Sequence, residues 1–318
     1  MIKIVVLDGH TLNPGDLSWR PLEQLGQVTV YPRSTTAEVQ GRAAGAAILL
    51  VNKQILDQTT LSNLKDLKFI GVTATGYNNV DVEAANELGI KVANVSGYST
   101  PSVAQHVFAL LLSLTNKVMP YNQSVQTGTW SAQLDFTYVL APIIELQELS
   151  IGIYGLGKIG QAVAQIALAM GMTVRAHHKH PERDAMEGVE FVDLPTLFRL
   201  SNIVSLHAPL SPQNREIVNR ALLSSMPKPA YLINTGRGGL VHEEDLAYCL
   251  KEGVITAAGL DVLSSEPPSA DHPLIGLDDC IITPHVAWGS QAARKRLLAE
   301  TVANVAAFLA GNDRNIIK

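Results

Sequence analysis

Residues 151–160 read IGIYGLGKIG, and this stretch is the strongest local indication of the fold. An apolar run leads into Gly155, Gly157 and Gly160, and a helical pattern of apolar residues follows directly. In a strand–turn–helix unit the first glycine permits a tight turn, the second lets the backbone approach a pyrophosphate, and the third allows close helix–strand packing. The helix N-terminus adds unpaired N–H groups that favour phosphate. The stretch therefore predicts a dinucleotide site, rather than a tight turn without a ligand, with a phosphate loop of Gly155, Leu156, Gly157, Lys158, Ile159 and Gly160.

Short β-branched runs alternate with helix-length segments on both sides of this loop, which is typical of βαβ units around parallel sheets. From the strand of the loop onward, six strands match the set expected of a Rossmann dinucleotide-binding sheet. They cover residues 150–154, 173–177, 203–206, 231–234, 257–260 and 281–283. Five earlier strands predict a smaller, flavodoxin-like sheet. These cover residues 2–7, 28–31, 46–51, 69–74 and 92–94.

The predicted fold class is α/β, with two doubly wound parallel-sheet domains. The nearly continuous apolar segment 102–114 predicts a helix, buried on most sides, that crosses from the first domain into the second. The amphipathic segment 291–309 has no strand after it and is expected to return to the first domain. The first domain is therefore predicted to be discontinuous, with residues 1–99 plus 287–318, and the dinucleotide domain to span residues 100–286.

The composition argues against several classes of protein. Hydrophobic residues make up 47% and charged residues 17% of the 318, which does not suit a disordered chain. The formal charge of -5, with no basic stripe, gives no reason to expect nucleic acid. The longest apolar run, near residues 107–114, is shorter than the roughly 20 residues of a membrane span. With no secretory signal at the start, and with Cys249 and Cys280 in ordinary apolar contexts, we predict a cytoplasmic protein without a metal site.

The end of the second Rossmann strand bears on the choice of dinucleotide. An acid that binds the adenosine ribose is expected about 20 residues after the glycines. The sequence instead has His177, His178 and Lys179, and no Asp or Glu precedes Glu182. These groups could meet a 2′-phosphate, so we hypothesise that NADPH is accepted and NAD is not excluded. The alternative is a solvated loop whose backbone and waters hold the ribose.

Polar residues follow three later strands of the Rossmann series. Asn234 leads into Arg237, Asp261 is followed by Glu266, and the last strand leads into His285. Ligands of open α/β sheets gather outside the carboxyl ends of the strands. These side chains are therefore expected to converge on one crevice.

With these motifs in place, the sequence resembles the D-isomer-specific 2-hydroxyacid dehydrogenase family over nearly its whole length. The resemblance is carried by residues 73–81 (TATGYNNVD), the glycine loop, residues 234–238 (NTGRG), Glu266-Pro267 and Pro284-His285. Residues 9–17 (GHTLNPGDL) and Ala287-Trp288 make it similar to the glycerate dehydrogenase or hydroxypyruvate (glyoxylate) reductase branch.

The resemblance implies a catalytic trio of Arg237, Glu266 and His285. A protonated histidine can give a proton to the oxygen of a keto acid that is being reduced. A carboxylate at the other imidazole nitrogen orients the ring and favours its charged form, and arginine has the planar fork that grips a carboxylate. Each residue also has a plainer interpretation, as a structural histidine, a surface acid or an arginine that serves only the cofactor.

Weaker assignments follow from the same resemblance. Backbone N–H groups of Ala74, Thr75 and Gly76 would face the substrate carboxylate, although a simple strand-end turn is the alternative. Further substrate contacts are predicted at Asn52, Lys53 and Trp288, with Arg237 and His285. Further cofactor contacts are predicted at His207, Ala208, Pro209, Thr235 and Gly236, with Arg237 and His285. Asp261 would lie at the nicotinamide end or serve as a strand-end cap. His106 and His242 are predicted to be bystanders.

The resulting hypothesis is reversible reduction of hydroxypyruvate or glyoxylate by NAD(P)H, giving D-glycerate or glycolate, in a cleft between the two domains. A homodimer is expected through the dinucleotide domain, with residues 121–136 as the dimer arm. The alternatives are a phosphoglycerate dehydrogenase and a dinucleotide-sensing corepressor-like scaffold. The first is disfavoured because the chain ends soon after its final helix. A formate dehydrogenase would carry Gln at the position of Glu266.

Overall fold

The computed structural model describes residues 1–317. The chain forms two compact units. The first contains Met1–Ser99 and the chain from Gly289 onward, and the second contains Thr100–Trp288. The chain thus returns to the first unit at Gly289, two residues later than the boundary at residue 287 that the sequence predicts.

In the described chain, the first unit has a five-stranded parallel sheet in the order β2-β1-β3-β4-β5, which is the flavodoxin order. Its strands are β1 (Lys3–Val6), β2 (Gln27–Val30), β3 (Ile48–Val51), β4 (Phe69–Val72) and β5 (Lys91–Ala93). Its helices are α1 (Arg20–Glu23), α2 (Thr36–Ala43), α3 (Gln58–Ser62), α4 (Val82–Glu87) and α11 (Gln291–Leu309). β3 and β4 are buried throughout, as expected of strands covered on both faces.

The last helix of the chain covers one face of this first sheet. Val305 of α11 packs in a buried cluster with Ile4 and Phe69, and the ring of Phe308 stacks on that of Phe69 with centroids 4.8 Å apart. The first sheet therefore needs a helix from the far end of the chain to complete its core.

Within residues 1–317, the sheet of the second unit has seven parallel strands in the order β12-β11-β10-β9-β6-β7-β8. Counted from β6, this is the Rossmann order with one added strand at the far edge. The strands are β6 (Ser150–Tyr154), β7 (Thr173–His177), β8 (Val189–Phe191), β9 (Ile203–Leu206), β10 (Tyr231–Asn234), β11 (Ala257–Leu260) and β12 (Cys280–Ile282). The helices are α5 (Thr100–Asn116), α6 (Val118–Gln126), α7 (Lys158–Ala169), α8 (Leu194–Arg199), α9 (Arg220–Ser224) and α10 (Glu243–Lys251).

The sequence predicted six strands here and missed β8. This edge strand has three residues, pairs only with β7 in the described sheet and has an exposed centre at Glu190. It lacks the apolar run that marks a buried strand, so its pairing depends on β7 rather than on its own pattern.

Side-chain caps fix where several helices begin. Asp57, Asp81, Asp193 and Asn219 each accept a hydrogen bond from the backbone N–H three residues on. Such a cap satisfies one of the free N–H groups of a helix N-terminus and typically stabilises it by about 1 kcal/mol.

The crossing helix α5 is an interior element of the second unit. Val107, Leu110 and Leu111 are buried, and α5 packs on α7 and on strands β10 and β11. Among the described residues, no helix combines the length and the hydropathy that a transmembrane segment needs.

Candidate active site

The three glycines of the phosphate loop meet three different steric demands. Gly155 has a φ of +98°, and a Cβ added there would lie 2.6 Å from the backbone nitrogen of Ala208. A Cβ on Gly160 would collide with the carbonyl oxygen of Gly155, whereas one on Gly157 would meet nothing within 4 Å. The loop is therefore packed tightly at its two ends and open at its centre, where α7 begins.

Two unsatisfied polar atoms lie after the strands next to this loop. Among residues 1–317, His207 Nδ1 and Thr235 Oγ1 are buried atoms without a hydrogen-bond partner, as is Ser201 Oγ before the opposite end of β9. His207 directly follows β9 and Thr235 directly follows β10, which is the neighbouring strand. Buried polar groups are normally paired, so these two atoms indicate a missing polar ligand. The open loop and the unsatisfied atoms fit a bound dinucleotide.

The imidazole of His207 is suited to a neutral role. Its Nε2 lies 2.8 Å from Ser205 Oγ, and burial lowers the pKa of the ring to about 4. Near neutral pH the ring is therefore uncharged and offers Nδ1 or Nε2 as either donor or acceptor, depending on the tautomer.

The end of β7 differs from the sequence-based prediction, because an acid is present there. The Nδ1 atom of His178 accepts a hydrogen bond from the Leu156 N–H at 3.1 Å, and its Nε2 lies 2.6 Å from Asp184 Oδ2. Hydrogen bonds from Arg183 and His178 lower the pKa of Asp184 to about 2. Asp184 lies two residues beyond Glu182, and only folding brings it to this strand end.

The other two basic candidates at this point differ from His178. His177 stacks on the ring of Tyr154, with centroids 5.8 Å apart, and its Nδ1 lies 3.0 Å from the carbonyl oxygen of Val192. Lys179 is exposed. His178 thus supports the phosphate loop, His177 packs within the unit, and Lys179 is accessible to a ligand.

His285 and Glu266 form a close pair. His285 Nδ1 lies 2.6 Å from Glu266 Oε2, and the other carboxylate oxygen accepts the Leu263 N–H at 3.2 Å. The side chains are 29% and 36% exposed, so both remain accessible. The pair has the arrangement of an imidazole oriented by a carboxylate, with Nε2 left as its other proton-carrying atom.

Arg237, the third predicted member, follows β10 and is exposed. Its Nη1 donates to the carbonyl oxygen of Gly236 at 2.8 Å. The side chain of Asn234 shapes this turn, since it accepts the Gly236 N–H at 3.0 Å and donates to the Arg237 carbonyl oxygen at 2.9 Å. The buried Asn234 therefore positions the arginine-bearing loop.

Asp261 holds the turn that carries His285. Its carboxylate is 1% exposed and accepts hydrogen bonds from Thr283 Oγ1 at 2.6 Å, Val286 N–H at 2.9 Å and Ala287 N–H at 2.8 Å. The His285 N–H donates to the Asp261 carbonyl oxygen at 2.8 Å. These bonds match the strand-end cap that the sequence left as an alternative, and contact with nicotinamide stays a prediction.

Glu243, for which the sequence predicts no role, is 8% exposed at the start of α10. Its carboxylate accepts the N–H of Ser264 at 2.8 Å and a hydrogen bond from the Ser264 hydroxyl, and it lies 3.2 Å from His272 Nε2. Ser264 is two residues from Glu266, so Glu243 fixes one end of the loop that carries that carboxylate. A glutamate in the first turn of a helix is usually explained by its interaction with the helix dipole, so the sequence alone does not indicate this role.

The substrate candidates of the first unit lie at the ends of β3 and β4. Asn52 is buried, and its Nδ2 donates to the Thr73 carbonyl oxygen at 2.6 Å, which makes its side chain part of the fold. The N–H groups of Asn52 and Lys53 donate to the Asp8 carboxylate at 2.8 and 2.6 Å. The Lys53 side chain is exposed, and Thr75 Oγ1 donates to the Val95 carbonyl oxygen at 3.0 Å.

The remaining candidates of this group differ in where they lie. Ala74 and Gly76 are half-buried in the turn after β4. Trp288 is half-buried and is the last residue of the second unit. Their substrate contacts stay predictions.

Comparison with known proteins agrees with this geometry. Residues 108–287 match the family model described as the D-isomer specific 2-hydroxyacid dehydrogenase, NAD binding domain. A hydroxypyruvate reductase from Blautia hydrogenotrophica is 42% identical, and a glycerate dehydrogenase from Methylorubrum extorquens is 38% identical. Each alignment covers 99% of both chains. The solved structure of an acyclic imino acid reductase in complex with NADPH and D-Arg is 32% identical and has a TM-score of 0.88, covering 100% of both chains.

Proposed function

Because the chain belongs to the D-isomer-specific 2-hydroxyacid dehydrogenase family, we propose that it reduces hydroxypyruvate, and glyoxylate as a second substrate, to D-glycerate and glycolate. The observation that carries this proposal is the 2.6 Å contact between His285 and Glu266 after the last strands of the dinucleotide-binding sheet. The names of the full-length relatives from Blautia and Methylorubrum support the substrate class.

The phosphate loop, His207 and Thr235 are the residues that would hold the dinucleotide, which supplies the hydride when bound. Reduction of the keto carbon leaves negative charge on its oxygen. We assign His285 as the acid that gives this oxygen a proton from Nε2, since Nδ1 is bonded to Glu266. A positioned general acid contributes about 10²–10⁴ in rate.

Glu266 and Arg237 have separate roles in this proposal. The Glu266 carboxylate keeps the imidazole oriented by accepting a hydrogen bond from its Nδ1. The Arg237 guanidinium stays protonated and presents a planar fork that can bind the substrate carboxylate through two hydrogen bonds. The exposure of Arg237 leaves that fork accessible.

We further propose that NADPH is accepted. Lys179 is exposed after β7, and Arg183 nearby is 67% exposed. A relative with NADPH bound supports this proposal. Asp184 Oδ2 lies 2.6 Å from Arg183 Nη2. Its negative charge would repel a 2′-phosphate, so we expect Asp184→Asn to raise the ratio of kcat/KM for NADPH to kcat/KM for NADH. An unchanged or lower ratio would favour the solvated-loop interpretation.

A homodimer is the proposed assembly. Leu134, Phe136 and Val139 are 104%, 88% and 83% exposed, and a groove of about 380 Å³ beside them is lined by Tyr121 and Trp130 among others. An apolar surface of this kind typically marks an interface. Light scattering should give twice the mass of one chain, and Phe136→Asp should halve it. A cytoplasmic location stays a prediction from the sequence.

Initial rates test the function. Hydroxypyruvate, glyoxylate, pyruvate and phosphohydroxypyruvate are each assayed with NADH and with NADPH. The highest kcat/KM on hydroxypyruvate supports the proposal, and the highest on phosphohydroxypyruvate supports the phosphoglycerate dehydrogenase alternative. Dinucleotide binding without turnover of any keto acid would support a scaffold.

A further inference from the structure

We propose that Ser102 and His106 of helix α5 are positioning residues for His285, a role that rests on the proposed function of His285 as the acid. Ser102 Oγ donates to the Ala287 carbonyl oxygen at 2.6 Å. His106 Nε2 lies 2.9 Å from Thr283 Oγ1 and 3.5 Å from Asp261 Oδ1. The two residues thus contact both ends of a segment that has His285 at its centre.

The direction of the hydrogen bonds follows from counting protons. The Thr283 hydroxyl has one proton, and its 2.6 Å contact with Asp261 Oδ1 places that proton toward the carboxylate. Thr283 Oγ1 must then accept from His106, so the Nε2 atom of His106 carries a proton. The result is a directed chain from His106 through Thr283 to Asp261, whose carboxylate holds the N–H groups of Val286 and Ala287.

The turn needs such restraint because of its backbone conformation. His285 has a φ of +53°, in the left-handed region that residues other than glycine rarely adopt. A residue keeps such a conformation only when its surroundings over-determine it. Asp261, directly after β11, binds the turn through its carboxylate. Ser102 and His106 bind it from helix α5, which lies far from β11 in the sequence.

The placement of the two residues on α5 fits this role. They are four positions apart, so they lie on the same face of the helix, one turn from each other. Ser102 lies in the first turn of α5, where no helical carbonyl oxygen four residues back is available to its hydroxyl. Ser113 on the same helix donates to the carbonyl oxygen four residues back, at 2.7 Å, whereas Ser102 donates to Ala287, 185 residues away in sequence.

The first measurement is steady-state reduction of hydroxypyruvate by His106→Leu and Ser102→Ala. A displacement of about 1 Å in a reacting group reduces rate by up to ~100-fold. We therefore expect kcat to fall by about 10- to 100-fold for His106→Leu and less for Ser102→Ala. The dissociation constant of the dinucleotide, measured by fluorescence, should stay within about twofold because the phosphate loop is untouched. His106→Gln should recover most of kcat, since its amide N–H can replace that of Nε2. Ser113→Ala is the matched control.

A spectroscopic readout separates positioning from general loss of structure. The imidazole proton between His285 and Glu266 should give a downfield ¹H–¹⁵N resonance, assigned by its absence in His285→Ala. We expect it to broaden or shift in His106→Leu and to return in His106→Gln.

The outcomes distinguish this inference from the function on which it rests. Loss of turnover in His285→Ala, with normal kcat and a normal imidazole resonance in both α5 variants, would overturn the positioning role alone. Normal turnover in His285→Ala would overturn the acid role, and the resonance would still show whether α5 holds the turn. A loss of kcat that His106→Gln fails to recover, with an unchanged resonance, would also overturn the positioning role.

Discussion

Replacing Asp261 with asparagine keeps the shape of a buried side chain and removes one of the two oxygens that hold the His285 turn. In the less costly orientation, the new NH₂ group takes the place of Oδ2 and faces the Ala287 N–H. That stranded donor costs about 1–3 kcal/mol. The two bonds that remain, from Thr283 and Val286, each weaken by about 1 kcal/mol, since a neutral acceptor replaces a charged one.

The free energy of unfolding of the second unit should therefore fall by about 3–5 kcal/mol. For domains of 150–250 residues, 1 kcal/mol corresponds to roughly 2–4 °C in Tm, so we expect Tm to fall by about 6–20 °C. Thermal unfolding followed by circular dichroism measures this directly. Asp278→Asn, which removes the same charge from an exposed position of the same unit, is the control. If Asp261→Asn lowered Tm no more than this control, the hydrogen bonds to Asp261 would not hold the turn.

Four further predictions concern the site. His285→Ala should lower kcat by about 10²–10⁴ while the dinucleotide still binds; steady-state kinetics with near-normal turnover would remove His285 from the mechanism. Glu266→Gln should lower kcat, because a neutral amide holds the His285 imidazole by a weaker hydrogen bond than a carboxylate does, and an unchanged kcat would count against its role. Arg237→Lys should raise KM for hydroxypyruvate and lower kcat, because the bidentate fork is lost; unchanged constants would refute carboxylate binding. Folding lowers the pKa of Asp184 from 3.8 to about 2, so its ionised carboxylate stabilises the fold above pH 3.8, and this stabilisation is lost as the pH falls through about 2. Asp184→Asn should therefore be less stable than the parent at pH 6, with the gap closing in acid unfolding experiments; a pH-independent gap would contradict this.

The regular parts of the fold could be read from the sequence because each signal is local. β6, β7 and β9 are buried or alternating runs that end at turn residues, and the glycines of residues 155–160 form one continuous motif. The edge strand β8 was missed because its three residues carry no apolar pattern of their own.

The supporting groups of the site could not be found in this way, because no local pattern in the sequence marks their partners. Glu243 binds Ser264 and His272 across 21 and 29 positions, and Asp184 meets His178 only once the loop after β7 has formed. The contact of His106 with Thr283, across 177 positions, likewise has no local signal in the sequence. The sequence indicates which residues could take part in catalysis, whereas the residues that position them become apparent only in the folded structure.

The discontinuous first unit has a consequence for synthesis on the ribosome. The strands of its sheet all emerge within Met1–Ser99, but the helix that packs Val305 and Phe308 against Ile4 and Phe69 is made only after the whole second unit. The second unit, Thr100–Trp288, is continuous and can close its core as soon as it leaves the exit tunnel. A nascent chain that has left the tunnel as far as Trp288 therefore carries one unit that can fold and one sheet with an uncovered apolar face. We expect chaperones to bind that face until α11 arrives.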